Sequence, residues 1–189
     1  MRCLLVTCAL LALTSCHKPA PTPQSQANNA QSAESGPAKG VDRSHKGQMF
    51  PKVSFGDPDG SQTDFKGYEG MPTLVNLWAT WCAPCVKELP TLQKLRDQRI
   101  GKLIVLPIDQ DDAPQKSVEA FLNKHDLDFV AYQDPKMKIA GALGAEVLPT
   151  SILFDANGKE VWRYVGDLDW TSADAAKLLS EAGAASPKG

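Results

Sequence analysis

Cys82 and Cys85, in the segment Trp81-Cys82-Ala83-Pro84-Cys85, are the residues of this chain whose type and spacing can do redox chemistry. Two thiols separated by two residues at a helix start can close a disulfide within one turn. Attack by one thiolate on a foreign disulfide then gives a mixed disulfide, which the second thiol clears. The chain has five cysteines, and the other three, Cys3, Cys8 and Cys16, fall within its first sixteen residues. That stretch reads as an export signal, so the domain that follows would hold the CxxC pair alone. A disulfide framework needs more cysteines, and a closed zinc site needs two more ligands. A structural CxxC or half of a metal site is the competing reading. At a helix N-terminus, unpaired N–H groups and the helix dipole favour a thiolate on the first cysteine. Cys82 is therefore the expected nucleophile and Cys85, one turn further in, the shielded resolving thiol. Trp81 would stand as an apolar wall beside the exposed sulfur.

A strand and a helix must position the pair. Thr73 to Trp78 is an apolar run of β-forming residues leading straight into the CxxC, and Val86, Leu89, Leu92 and Leu95 then mark a helix face beginning near Cys82. Pro90 lies inside that helix and should kink it. Further strands are expected over Leu103 to Ile108, Phe129 to Tyr132, Thr150 to Phe154 and Glu160 to Val165, with helices over Ser117 to His125 and Lys136 to Leu143. Asn157-Gly158 predicts a type I′ hairpin between the last two strands. Thr171 with Asp174 predicts a capping box for a closing helix through Leu179. The order implies an α/β domain, a mixed sheet with helices on its faces.

Ahead of the domain, Arg2 and an apolar run from Leu4 to Leu13 suit a signal peptide; the run is shorter than the ~20 apolar residues a membrane-spanning helix takes. Leu13-Thr14-Ser15-Cys16 resembles the bacterial lipoprotein processing box, which implies cleavage before Cys16 and a lipid on it; an ordinary secretory signal is the alternative. His17, where an aspartate would favour the inner membrane, leans towards the outer one. Residues 17–44, rich in Pro, Ala, Gln, Ser and Asn, lack apolar periodicity and read as a flexible tether spanning roughly 30 Å. The expected organisation is a signal peptide over 1–15, a lipid-anchored linker over 16–44, the folded domain over 45–183 and a disordered tail over 184–189.

The run Val75-Asn76-Leu77-Trp78-Ala79-Thr80-Trp81-Cys82-Ala83-Pro84-Cys85, with Glu88, Pro90 and Leu148-Pro149-Thr150, resembles the thioredoxin superfamily. More narrowly it is similar to the extracytoplasmic, membrane-tethered thiol–disulfide oxidoreductases of the TlpA/ResA type, over roughly Gln48 to Asp169. The resemblance implies a thioredoxin-like fold with a βαβ insertion. It implies a cis Pro149 packed against the CxxC and a Leu148 backbone that pairs with an incoming peptide. Read alone, Pro149 would be a strand-entry proline. Asn76 occupies the strand position that holds a buried aspartate in cytoplasmic thioredoxins, and an asparagine cannot relay protons. Glu88, three residues past Cys85 on nearly the same helix face, would take over that role, with a raised pKa and proton exchange with Cys85. A solvated carboxylate beside Lys87 is the alternative.

The expected partners are disulfide-bearing extracytoplasmic proteins, such as cytochrome c maturation or copper-site assembly clients, with a membrane thiol reductase as electron donor. No cofactor or metal is expected, and the protein is read as a monomer. His45 and His125 lack ligand spacing to the CxxC, and Trp162, Tyr164 and Trp170 read as packing. A formal charge of −2 with mixed signs argues against nucleic acid. Two rivals stay open. A peroxiredoxin-like peroxidase would place its cysteine in a Pro-x-x-x-Thr-x-x-Cys setting, whereas Thr80 lies only two before Cys82. A Cu(I) carrier would use both thiolates as soft ligands.

Overall fold

The computed structural model describes residues 39–183. The expectations for the signal peptide (1–15), for lipid on Cys16, for most of the linker and for the 184–189 tail lie outside the described residues. In chain order the strands are β1 (Gly40–Asp42), β2 (Ser54–Gly56), β3 (Gln62–Asp64), β4 (Thr73–Trp78), β5 (Ile104–Asp109), β6 (Tyr132–Gln133), β7 (Thr150–Phe154) and β8 (Glu160–Val165). The α-helices are α1 (Ala83–Gln98), α2 (Gln115–Lys124), α3 (Lys138–Leu143) and α4 (Ala173–Leu179). The strands form one mixed sheet in the order β1-β8-β7-β4-β5-β6-β2-β3, with β4, β5 and β6 parallel to one another and the other pairs antiparallel. This is the thioredoxin-like α/β architecture; β4–α1–β5 and β5–α2–β6 are its parallel βαβ units.

β4 lies at the centre, and all six of its residues are buried. Because successive side chains of a strand point to opposite faces, Leu74 and Trp78 enter the cluster that also contains Cys82, Cys85 and the α1 leucines. Val75 and Leu77 enter the other, with Phe55, Ile108, Ile139 and Phe154. Asn76 shares the face of Leu74 and Trp78, and so points towards α1. On α1 the buried positions are Cys85, Glu88, Leu89, Leu92 and Leu95, a stripe at helical spacing with one carboxyl set into it. The helix continues through Pro90 to Gln98.

Several expectations give way. The sheet takes in Gly40–Asp42, within the expected linker, as an edge strand paired to β8. It also takes in β2 and β3, which have no counterpart in the sequence reading. The expected strand over Phe129 to Tyr132 narrows to Tyr132–Gln133, which pair with Ile108 and Asp109. Phe129 and Ala131 are apolar because they pack in the core. At the β7–β8 hairpin only Gly158 has a positive φ, 72°, and Asn157 does not. Gly158 N–H donates to the Asp155 carbonyl, and Asp155 Oδ1 accepts from the N–H of Asn157 and Lys159. That is a turn followed by one left-handed glycine, not a type I′ turn, which needs two positive φ values. The cap of α4 is Ser172, whose hydroxyl accepts from Ala175 N–H at 3.2 Å. Thr171 instead donates through its N–H and hydroxyl to Asp169.

Candidate active site

β4 ends at Trp78, and the chain turns through Ala79-Thr80-Trp81 into α1. Cys82 is the N-cap, with Ala83 and Pro84 opening the helix, where a missing proline N–H costs nothing. Cys82 and Cys85 form a disulfide with their Cα atoms 5.2 Å apart. Cys82 Sγ accepts from Cys85 N–H at 3.3 Å, so the first sulfur sits in the field of the helix N-terminus. In this disulfide form Cys82 is 5% exposed and Cys85 is fully buried. Trp81 projects into solvent at 71% exposure, with no core packing.

The Leu148–Pro149 peptide bond is cis. Pro149 directly precedes β7, which pairs with β4; Leu77 lies opposite Thr150. Leu148 is half-buried and packs against both core clusters, and Val147 beside it is partly exposed. The Pro149 carbonyl accepts from Gly166 N–H at 2.9 Å, which ties this turn to the loop after β8.

Glu88 is 2% exposed and held by three donors. Asn76 Nδ2 donates to Oε1 at 2.7 Å, while Leu168 N–H and Trp170 Nε1–H donate to Oε2 at 3.0 and 3.2 Å. Burial pushes the carboxyl up to about 7 against the pull of those donors, and the charge of Asp167 adds to the rise. Asn76 Nδ2 also donates to Ser151 Oγ at 2.8 Å, across the β4–β7 register. Thr91 Oγ1 accepts from Trp170 N–H and so fastens the 166–170 loop to α1. Asp167, in the same loop, bonds Lys39 at 2.6 Å and Lys87 at 3.1 Å, and those cations hold it down to about 2.

Glu88 and Cys85 are thus both buried on one helix, three residues apart, the spacing at which side chains neighbour one another. The solvated alternative for Glu88 does not hold. Trp170, read from sequence as packing, is buried in the core and also donates to Glu88. Leu168 takes part through its backbone alone, which no sequence signal announces. Trp162 and Tyr164 remain in the sheet. His125 caps the end of α2 and lies against Phe121, with ring centroids 4.4 Å apart, while His45 faces Asp42 at 3.9 Å.

A dithiol pair at a helix N-terminus, beside a buried carboxyl that titrates near neutrality, can exchange two electrons and move the accompanying proton. Known proteins point to the same chemistry. The Redoxin family model matches residues 45–179. The thiol-disulfide oxidoreductase ResA of Bacillus thuringiensis (strain Al Hakam) is 34% identical over 124 residues, covering 64% of this chain and 70% of that one. The thioredoxin-like protein YneN of Bacillus subtilis is 32% identical over 115 residues, covering 60% and 67%. Among solved structures, a candidate thiol:disulfide interchange protein DsbE from Chlorobium tepidum has a TM-score of 0.65 at 26% identity, covering 73% of this chain and 98% of that one. The chain belongs to the Redoxin family and, within it, to the ResA-like thiol–disulfide oxidoreductases.

Proposed function

We propose that the protein reduces disulfides in other extracytoplasmic proteins, with Cys82 as the attacking thiol, Cys85 as the resolving thiol and Glu88 as the proton partner of Cys85. In the forward step Cys82 thiolate attacks a client disulfide, forms the mixed disulfide and expels one client thiolate. Cys85 then gives its proton to Glu88 and attacks Cys82 Sγ, releasing the second client thiolate and leaving the Cys82–Cys85 disulfide. Two electrons pass to the client. The solvent-facing Trp81 and the Leu148–Pro149 turn form the proposed client-binding edge. A lipid on Cys16 and the tether behind it would hold the domain at the periplasmic side of a membrane, the outer one favoured. There a membrane thiol reductase would return the electrons. Cytochrome c maturation and copper-site assembly proteins are the proposed clients, met by a monomer.

The observation that carries the direction of flow is the burial of Glu88 beside Cys85. Strongly oxidising pairs are those whose reduced form is stabilised, commonly by cations or dipoles favouring the thiolate. Here the helix N-terminus favours the Cys82 thiolate, but a carboxyl set in the same core disfavours further negative charge nearby. The reduced pair is then the better electron donor. Replacing Cys85 with Ala is expected to trap client proteins on Cys82 as adducts that dithiothreitol releases. Mass spectrometry of the adducts would name the clients. If no adduct forms in cells, this reading is wrong.

A further inference from the structure

A second buried carboxyl cluster lies at the other end of the turn that presents Cys82, and the thiol chemistry above does not use it. Asp109 closes β5, and Asp111 follows two residues later; both are buried, at 0% and 4% exposure. Asp111 Oδ2 accepts from Thr80 N–H at 3.0 Å and from Thr80 Oγ1–H at 2.5 Å. Thr80 stands two residues before Cys82, so this carboxylate grips the turn between β4 and α1. Asp109 Oδ2 accepts from Asp111 N–H and from Gln133 Nε2, both at 3.1 Å. The remaining oxygen of each carboxyl, Asp109 Oδ1 and Asp111 Oδ1, is buried with no hydrogen-bond partner among the described residues.

We infer that Asp109 holds a proton between these two oxygens and that the pair, through Asp111, latches the Thr80 turn that leads into the CxxC. Two ionised carboxylates side by side in the core repel each other and leave both oxygens unsatisfied; one proton relieves both faults. The Asp109 side chain is placed to hydrogen-bond Asp111 once protonated, and burial, then the Asp111 charge, pushes Asp109 up to about 7. β4 sets Trp78 opposite Asp109, and β6 sets Gln133 there. Asp134 N–H donates to the Asp109 carbonyl, while its own carboxylate accepts from Ile139 N–H. Among the described residues no lysine, arginine or histidine pairs with Asp109 or Asp111.

With the proton held on Asp109, Asp111 keeps both of its hydrogen bonds to Thr80. As pH rises and the proton leaves, the carboxylates push apart and the grip on Thr80 loosens. The consequence for thiol exchange rests on the CxxC reading above, but the latch can be observed without it. The experiment is NMR of the oxidised Glu88→Gln protein, in which neither the cysteines nor residue 88 titrates. The Thr80 amide proton is expected to shift in one step centred near pH 7. Adding Asp109→Asn, whose amide supplies the donor at every pH, should abolish that step. A Thr80 resonance that stays flat between about pH 5 and 9, or a step that survives Asp109→Asn, overturns the inference. Should that variant not fold, the carboxyl carbon of Asp109 in the Glu88→Gln protein decides. An Asp109 step near neutrality supports the retained proton, and one near the ordinary ~3.9 refutes it. Failure here leaves the reductase reading intact, since client trapping on Cys82 tests that separately.

Discussion

Glu88→Gln is expected to slow resolution of the mixed disulfide by about 10²-fold, the usual contribution of a positioned proton-transfer group. It should also remove the rate inflection near pH 7 that the carboxyl imposes. In the proposed mechanism the ionised form of Glu88 accepts the Cys85 proton, so the wild-type resolution rate should climb as pH passes through that value. In the variant the remaining pH dependence should follow an ordinary thiol, near ~8.5. Folding should survive the change. The substituted glutamine can keep its carbonyl oxygen towards Leu168 N–H and Trp170 Nε1–H, which both bond Oε2 of the glutamate. Its amide nitrogen would then face Asn76, and a turned Asn76 amide can accept from it through Oδ1, an atom without a partner among the described residues. Stopped-flow measurement of client reduction at several pH values makes the test. An unchanged rate and an unchanged inflection would remove Glu88 from the mechanism.

Stability should fall, not rise, as pH increases from about 4 to 7. Glu88 moves from an ordinary 4.5 to about 7 on folding, and Asp109 from 3.8 to about 7. Between those limits the folded chain holds protons that the unfolded chain has already lost. The stability associated with each group is therefore complete below its unfolded value and lost as pH climbs through its folded value. For Glu88 the loss is on the order of 3 kcal/mol, at 1.36 kcal/mol for each unit of pKa; for the coupled Asp109 the sign is the same. Asp167, held down to about 2 by Lys39 and Lys87, works in the opposite direction, but only in acid below its ordinary 3.8. Urea melts at pH 5 and pH 7.5 should give a lower midpoint at the higher pH, and Glu88→Gln should narrow the gap. Stability that rises over this range would mean that the buried carboxyls are ionised in the folded protein.

The centre of the molecule was legible because its local signals agree. An apolar six-residue strand, a cysteine able to cap, a proline in the first turn and leucines at helical spacing all describe β4 and α1 without reference to any partner. The edge strands were not legible, since Gly40–Asp42, Ser54–Gly56 and Gln62–Asp64 are three residues each and owe their conformation to a neighbouring strand. The hydrogen bond from Trp170 to Glu88 joins residues 82 apart, and its tryptophan looks like any core residue. Asp109-Gln110-Asp111-Asp112 resembles a solvated acidic turn, yet its first three residues are buried. Burial of that kind follows from where β5 ends against β4 and β6, which a linear reading does not supply. The spacing of Cys82 and Cys85 and the place of Glu88 one turn further along α1 could be read from the sequence. The role proposed for Glu88 came with the family resemblance, and what holds Glu88 in place could not be read.

The reduction potential of the Cys82–Cys85 pair tests the proposed direction of electron flow most directly. Equilibration of the full domain with a dithiothreitol redox buffer at pH 7, read by thiol alkylation, should place it at about −250 mV or lower, in the range of reducing thioredoxins. A value near about −120 mV, where the reduced form is the stabilised one, would contradict the account and make the protein an oxidant.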